Sequence, residues 1–228
     1  MRNQPGLARV FEQLGIDYCC GGKKPLAQAF AERGIEPAAG LKMLAAFARS
    51  GTTSGGDLDV ANLSLTELAN HIERSHHAYV REALPRLVEM SERVARKHGE
   101  RDPRLPEVFT TVLALADEMT HHMEKEERIL FPIVRELEAG ASPDQFHCGS
   151  IANPIRQMEA EHASAGDALA RLRSLTNDFQ PDENACNTHR ALLAGIAEFE
   201  ADLHRHVHKE NNVLFPRALE LAAAGTNA

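Results

Sequence analysis

One phrase is written twice in this chain: His-x-x-x-Glu and, after three further residues, Leu-Phe-Pro. It occurs as His122, Glu126, Leu130, Phe131 and Pro132, and again as His206, Glu210, Leu214, Phe215 and Pro216. On an α-helix, residues four apart lie one above the other on the same face, so each copy offers an imidazole and a carboxylate to one point in space. A lone histidine precedes each copy at nearly equal distance: His77 stands 45 residues before His122, and His162 stands 44 residues before His206. The pattern reads as a duplicated helical hairpin. Folded together, two such hairpins make a four-helix bundle with four histidines and two glutamates pointing inward, and facing helices of bundles are a recurring place for metal sites.

The elements that must position these residues can be placed from caps and breakers. Ser64 and Glu67 form a Ser-x-x-Glu capping box that starts a first bundle helix over about 65–97, stopped by His98-Gly99. A second helix runs from near Glu107 to Ala139 and ends at Gly140. Asn153-Pro154 places a capping residue before a proline suited to a first helical position, and the third helix reaches about Leu175. The fourth starts near Glu183 and ends before Gly225.

The proposed ligands interrupt apolar seams. The second helix gives Leu115, Met119, His122, Glu126, Ile129 and Ile133 at alternating steps of four and three. The third gives Ile155, Met158, His162, Ala165, Leu169 and Leu172, and the fourth gives Ile196, Phe199, Leu203, His206, Glu210 and Val213. A neutral polar group buried without a partner costs roughly 2–7 kcal/mol, a penalty that a shared metal removes. Neutral imidazole and ionised carboxylate are the ligating forms, and iron accepts both, as do manganese and zinc. In the first helix, Leu65, Leu68 and Ile72 lead to His76, whereas Val80, Leu84 and Leu87 continue from His77, so periodicity leaves these two tied. Pro132 and Pro216, six residues past their glutamates, would either bend their helices or end them. Glu118, four before His122, and Glu161, beside His162, are candidates to orient the ligands or relay protons. The histidines at 71, 98, 121, 147, 189, 204 and 208 are expected mostly on the surface.

Composition bounds the rest. Of 228 residues, 43% are hydrophobic, 5% are aromatic and none is Trp, which suits aliphatic helix packing and an all-α fold. With 25 basic against 33 acidic residues, a net charge of -8 and no basic run, nucleic acid is excluded as the expected partner. No stretch approaches a membrane span or a signal core, so the expected location is the cytoplasm. Three short helices are expected before about Arg49, from Leu7, Val10, Phe11 and Leu14, then Leu26, Ala29 and Phe30, then Leu41, Leu44 and Phe47. A Ser/Gly-rich run follows. The expected organisation is a small helical module over 1–50, a linker over 51–62 and the bundle over 63–225. The cysteines at 19, 20, 148 and 186 form no metal-binding or disulfide-scaffold spacing. Adjacent Cys19-Cys20 suit transient thiol chemistry, metal capture or no role at all rather than a structural bridge.

Tyr18-Cys19-Cys20-Gly21-Gly22-Lys23, the run Met158-Glu159-Ala160-Glu161-His162 and the ending from His206 through Glu210 to Leu219 together resemble the repair-of-iron-centres di-iron proteins. The resemblance covers nearly the whole chain. It implies a hemerythrin-like antiparallel four-helix bundle behind a small helical, cysteine-bearing module. It also implies a non-haem centre of two iron ions, oxo-bridged when oxidised, on His77, His122, His162 and His206 with Glu126 and Glu210 as bridges. His77 is chosen over His76 by the family's register before Leu84-Pro85, not by physics. Oxygen-carrying hemerythrins use a fifth histidine, so oxygen transport is the weaker expectation. The function implied is repair of iron-sulfur clusters damaged by oxidative or nitrosative stress, with damaged cluster proteins as clients and Cys19 and Cys20 as a thiol relay. A sensor of oxygen, nitric oxide or iron, and an enzyme that reduces nitric oxide, are the alternatives. The sequence leaves monomer and homodimer open.

Overall fold

The computed structural model describes residues 7, 10, 11, 14, 16, 18, 24–50 (backbone alone for 48–50), 60, 62–142, 146 and 149–225. Among these residues the regular structure is helical throughout. Cys19, Cys20 and Cys148 fall outside the described residues, as does most of the expected linker.

Among the described residues Leu7, Val10 and Phe11 are helical, and two helices with defined bounds precede the bundle, α1 (Leu26–Glu32) and α2 (Pro37–Ser50). They cross closely at Gly40, where an added Cβ would stand 2.6 Å from the ring of the fully buried Phe30. The four bundle helices follow. The first is α3 (Leu65–Ile72), a π-helical turn (Glu73–His77) and α4 (Ala78–His98). The second is α5 (Arg104–Lys125), a π turn (Glu126–Leu130) and α6 (Phe131–Glu138). The third is α7 (Ala152–Leu175), and the fourth is α8 (Asn187–Lys209), a π turn (Glu210–Leu214) and α9 (Phe215–Gly225).

The capping box forms as expected: Ser64 Oγ accepts from the Glu67 amide at 3.1 Å, and Glu67 Oε2 accepts from the Ser64 amide at 2.9 Å. Three helix starts differ from expectation, the second bundle helix beginning at Arg104 rather than near Glu107. The third helix begins at Ala152, whose amide donates to Ser150 Oγ at 3.2 Å, so Asn153 and Pro154 lie inside it rather than at its cap. The fourth begins at Asn187 rather than near Glu183. The Arg190 guanidinium donates to the carbonyls of Asp182, Glu183 and Ala185 at 3.2, 2.7 and 3.0 Å, and so holds residues 182–185 in turns.

The π turns correct the seams. In each, one residue more than an α turn is wound in, and the amide five residues on reaches the first carbonyl: Phe131 to Glu126, Phe215 to Glu210, and Ala78 to Glu73. The added residue rotates everything beyond it. Thus Ile129, expected in the core, is 42% exposed, while Leu130 and Phe131 are buried in its stead. In the first helix the seam steps from Ile72 by five to His77, which is why upstream residues point to His76 and downstream residues to His77. Pro132 and Pro216 do not end their helices. Each sits at the start of the α segment after a π turn, where a missing N–H is tolerated.

The apolar core is split in two. One cluster holds Val80, Met123, Ala165, Leu203 and Val207 together with Phe11, Ile16, Tyr18 and Phe30 of the N-terminal segment. The other holds Leu65, Ile72, Leu130, Phe131, Met158, Leu214 and Phe215. Between them runs one polar layer, because His77, Glu126, His162 and Glu210 each follow a residue of one cluster and precede a residue of the other.

Candidate metal centre

That layer contains His77, His122, Glu126, His162, His206 and Glu210, all 0–1% exposed. Their donor atoms form two groups. One is His77, Glu126, His206 and Glu210, the other is His122, Glu126, His162 and Glu210, and within each group the atoms all lie within 4.8 Å of one another. Both glutamates belong to both groups. Glu126 Oε2 stands 3.2 Å from His77 Nε2 and 3.3 Å from His122 Nε2. Glu210 turns one oxygen to each group, Oε1 at 3.0 Å from His206 Nε2 and Oε2 at 3.1 Å from His162 Nε2. Each group also draws one histidine from each hairpin, so neither hairpin can complete a group alone.

The residues fit metal ions. Two donors each roughly 2.0–2.2 Å from one ion and near a right angle apart stand about 3 Å from each other. His77 Nε2, both oxygens of Glu126 and Glu210 Oε2 are buried without a hydrogen-bond partner, and all four belong to the donor set. The electrostatics ask for a cation. Burial, and for Glu126 the adjacent Glu210, opposes ionisation, but the neighbouring histidines hold both carboxyls below the usual range. Burial likewise opposes charge on His122, yet the Glu126 carboxylate and the hydrogen bonds to Glu126 and Glu161 push it up to about 10. Protons on the imidazoles balance the carboxylates where metal does not.

The aromatic floor repeats with the hairpin. Phe131 stacks on His77 at 5.7 Å between ring centroids, and Phe215 stacks on His162 at 6.0 Å. The Leu-Phe-Pro endings therefore seat the upstream histidine of their own hairpin. Behind the donors, His77 Nδ1 meets Glu127 Oε1 at 2.7 Å, and Glu127 is held by Arg81 at 2.7 and 2.8 Å. His122 Nδ1 meets Glu161 Oε2 at 2.9 Å, and His162 Nδ1 meets Asn211 Oδ1 at 2.9 Å. Burial raises the Glu161 carboxyl, but its hydrogen bonds from His122 and Lys125 prevail and bring it down to about 2.

Of the two glutamates expected to support the donors, Glu161 is in contact with one. Glu118 is half-buried a turn before His122 and joins no hydrogen bond or ion pair among the described residues, since His122 turns its outer nitrogen to Glu161 instead. His77 is inside the donor set. His76 is outside it, buried, with Nδ1 at 3.0 Å from Asp202 and Nε2 at 2.6 Å from Lys209 Nζ. His208, expected at the surface, is 7% exposed. It faces the ring of Tyr18 at 5.5 Å and the Asn212 amide at 3.0 Å, and burial pulls it down to about 4. Glu127, Asn211, Lys125, Lys209 and Asp202 were not singled out from sequence. A signal existed: the doubled phrase is longer than His-x-x-x-Glu, because Lys125 and Lys209 precede the two glutamates at matching positions.

Comparison with known proteins shows the family. Residues 68–218 match the hemerythrin HHE cation binding domain, and residues 2–48 match ScdA_N, a domain of unknown function. The iron-sulfur cluster repair protein YtfE of Dickeya chrysanthemi is 40% identical over 220 residues, covering 94% of this chain and 92% of that one. The protein of the same name from Yersinia pseudotuberculosis is 42% identical over 217 residues, with the same coverage.

Proposed function

The chain belongs to the hemerythrin HHE cation-binding family, among its iron-sulfur cluster repair proteins, and from that premise we propose that its buried layer is a two-iron store serving damaged clusters. The observation that carries this reading is the sharing of Glu126 and Glu210 between two donor groups, each completed by one histidine from each hairpin. Bound iron supplies the exchangeable, redox-active cation that a damaged cluster lacks.

The chain's own residues perform the rest. His77 and His206 would hold one ion and His122 and His162 the other, with Glu126 and Glu210 available to both. Phe131 and Phe215 exclude water from the floor and fix the ring planes of His77 and His162. Four histidines and two carboxylates across two positions leave coordination sites for an incoming thiolate or a small ligand. In the metal-free chain His77 and His122 are both raised by the adjacent carboxylates against the opposing effect of burial, so protons on these two imidazoles offset the carboxylate charge.

The cysteine-bearing segment serves as receiver. In support, Tyr18, immediately before Cys19-Cys20, packs edge-on against His204 and His208 of α8, at 6.0 and 5.5 Å, and α8 is the helix that carries His206. A division into a thiol module over 1–50, a linker over 51–62 and a metal-holding bundle over 63–225 is supported by the separate family matches over 2–48 and 68–218. Among the described residues no helix is long and apolar enough to cross a membrane.

Repair is tested by mixing the iron-loaded protein with an iron-depleted iron-sulfur protein, sulfide and a reductant, and following the cluster absorbance. Cluster should return as iron leaves the bundle. Iron retained in full beside an unrepaired client would remove the basis for donation. Cys19→Ser with Cys20→Ser should keep the bound iron and slow the transfer, and unchanged transfer would take the thiols out of the mechanism.

A further inference from the structure

Resting on the two-iron reading above, we infer that the two metal positions are held unequally, and that the one on His77 and His206 exchanges its metal first because His76 stands where the duplicated hairpin has Glu161. The repeat maps His77 onto His162, His122 onto His206 and Glu126 onto Glu210. The same mapping pairs Lys125 with Lys209, Glu127 with Asn211, and Glu161 with His76.

Around His122 these residues form a chain. Lys125 Nζ donates to Glu161, and Glu161 Oε2 accepts from His122 Nδ1 at 2.9 Å. Around His206 the corresponding chain is broken. Lys209 Nζ lies 2.6 Å from His76 Nε2, so that nitrogen is the acceptor and the proton at His76 Nδ1 goes to Asp202 at 3.0 Å. Both ring nitrogens of His76 are thereby used. Its ring lies parallel to His206, 5.4 Å away and inclined by 4°, and presents a face with no lone pair. His206 Nδ1 is accordingly buried with no hydrogen-bond partner, whereas the other three ligand histidines each have one.

A ligating imidazole gains basicity and a fixed orientation from an acceptor on its outer N–H, and loss of such a partner typically costs 10–100-fold in metal affinity. Each position has one histidine backed by a carboxylate, His77 by Glu127 and His122 by Glu161. They differ in the second histidine: His162 has the neutral amide of Asn211, and His206 has nothing. One neutral hydrogen bond sets the expected difference near the lower bound, about tenfold. Affinity differences within one site appear mainly in the dissociation rate.

The experiment is release of ferrous iron from the fully loaded chain into excess chelator without oxygen, followed by absorbance of the chelate. Two phases of equal amplitude, about tenfold apart in rate, are expected. His76→Glu puts a carboxylate between Lys209 and His206, as Glu161 stands between Lys125 and His122, and should slow the fast phase to the rate of the slow one or below it. Glu161→Gln should speed the slow phase and spare the fast one, which provides a second reading if His76→Glu folds poorly. A single phase in the wild type, a fast phase unmoved by His76→Glu, or a Glu161→Gln effect on the fast phase overturns the inference. Two phases in a protein that fails to rebuild a cluster would leave the inequality standing and remove the donation reading instead, whereas a chain that binds no iron sinks both.

Discussion

Around His122 the outer nitrogen of the ligand meets a carboxylate, which a lysine holds in turn; around His206 the same backbone positions carry a histidine and a lysine that satisfy each other and leave the ligand alone. The two regions share one repeated pattern, so their difference separates what the site requires from what it tolerates. What is common to both hairpins lines the proposed metal positions or supports them from below: the His-Glu pair, the Leu-Phe-Pro floor and the π turn that begins at each glutamate. What diverges lies one shell out, where a change alters how tightly a ligand is held without removing it. The divergence extends to the helices themselves, because His77 ends a π turn while its counterpart His162 lies in the uninterrupted α7.

The sharpest way to break the comparison is to remove the parts the hairpins share equally. Glu126→Ala and Glu210→Ala should each empty both positions, because both donor groups include both carboxylates. Elemental analysis of the purified variants reads this directly. Half the wild-type iron retained in either variant would mean that its carboxylate serves one position alone, and the pseudo-symmetric sharing would be lost as an idea.

Next in size is the floor. Phe131→Ala and Phe215→Ala each delete a fully buried ring that seats a ligand histidine, and each should cost about 3–5 kcal/mol of stability in urea unfolding of the metal-free chain. Near-equal losses are expected. A loss under about 1 kcal/mol in one of them would show that its hairpin closes the cavity by another route.

How far these features were legible in the sequence depends on whether a helix keeps its period. In α7 it does, and the seam read from Ile155 through His162 to Leu172 is buried throughout. In the first and second bundle helices a π turn adds one residue, a change of phase that hydrophobic spacing registers only as ambiguity. The tie between His76 and His77 is that phase change seen from both sides, and the exposed Ile129 falls on the seam only if an unbroken period is carried straight through the turn. The prolines after Glu126 and Glu210 were the available marks of irregularity, read as bends or stops. The outer partners were harder to see for a different reason. Asp202 reaches His76 and Glu161 reaches His122 from another helix, and such pairings follow from bundle assembly, not from spacing along one chain.

The tie can be cut by experiment. His77→Ala should lose iron, since it removes a donor, while His76→Ala should retain it and cost roughly 1–3 kcal/mol by leaving the largely buried Asp202 without its imidazole donor. Iron content and urea unfolding on the same two preparations separate the effects. Equal iron loss from both variants would return His76 to the ligand set and undo the contrast between the two outer shells.

The smallest effect concerns how the hairpins are closed at their ends. Glu138, the last residue of α6, accepts from the amides of Leu65 and Thr66 at 2.7 and 2.8 Å, and so caps the first bundle helix from the second. A carboxylate there satisfies two exposed donors and complements the positive end of the helix. The second hairpin has Ala222 at the matching position and starts α7 on the local Ser150 hydroxyl instead, with one longer bond of 3.2 Å. Glu138→Ala should therefore cost about 1–2 kcal/mol and Ser150→Ala about 0.5 kcal/mol. Amide hydrogen exchange locates the loss: Leu65 and Thr66 should exchange faster in the first variant, and Ala152 in the second. Equal costs would mean that the cross-helix clamp adds nothing beyond a local cap, and that the first hairpin is no more tightly closed than the one that carries the weaker metal ligand.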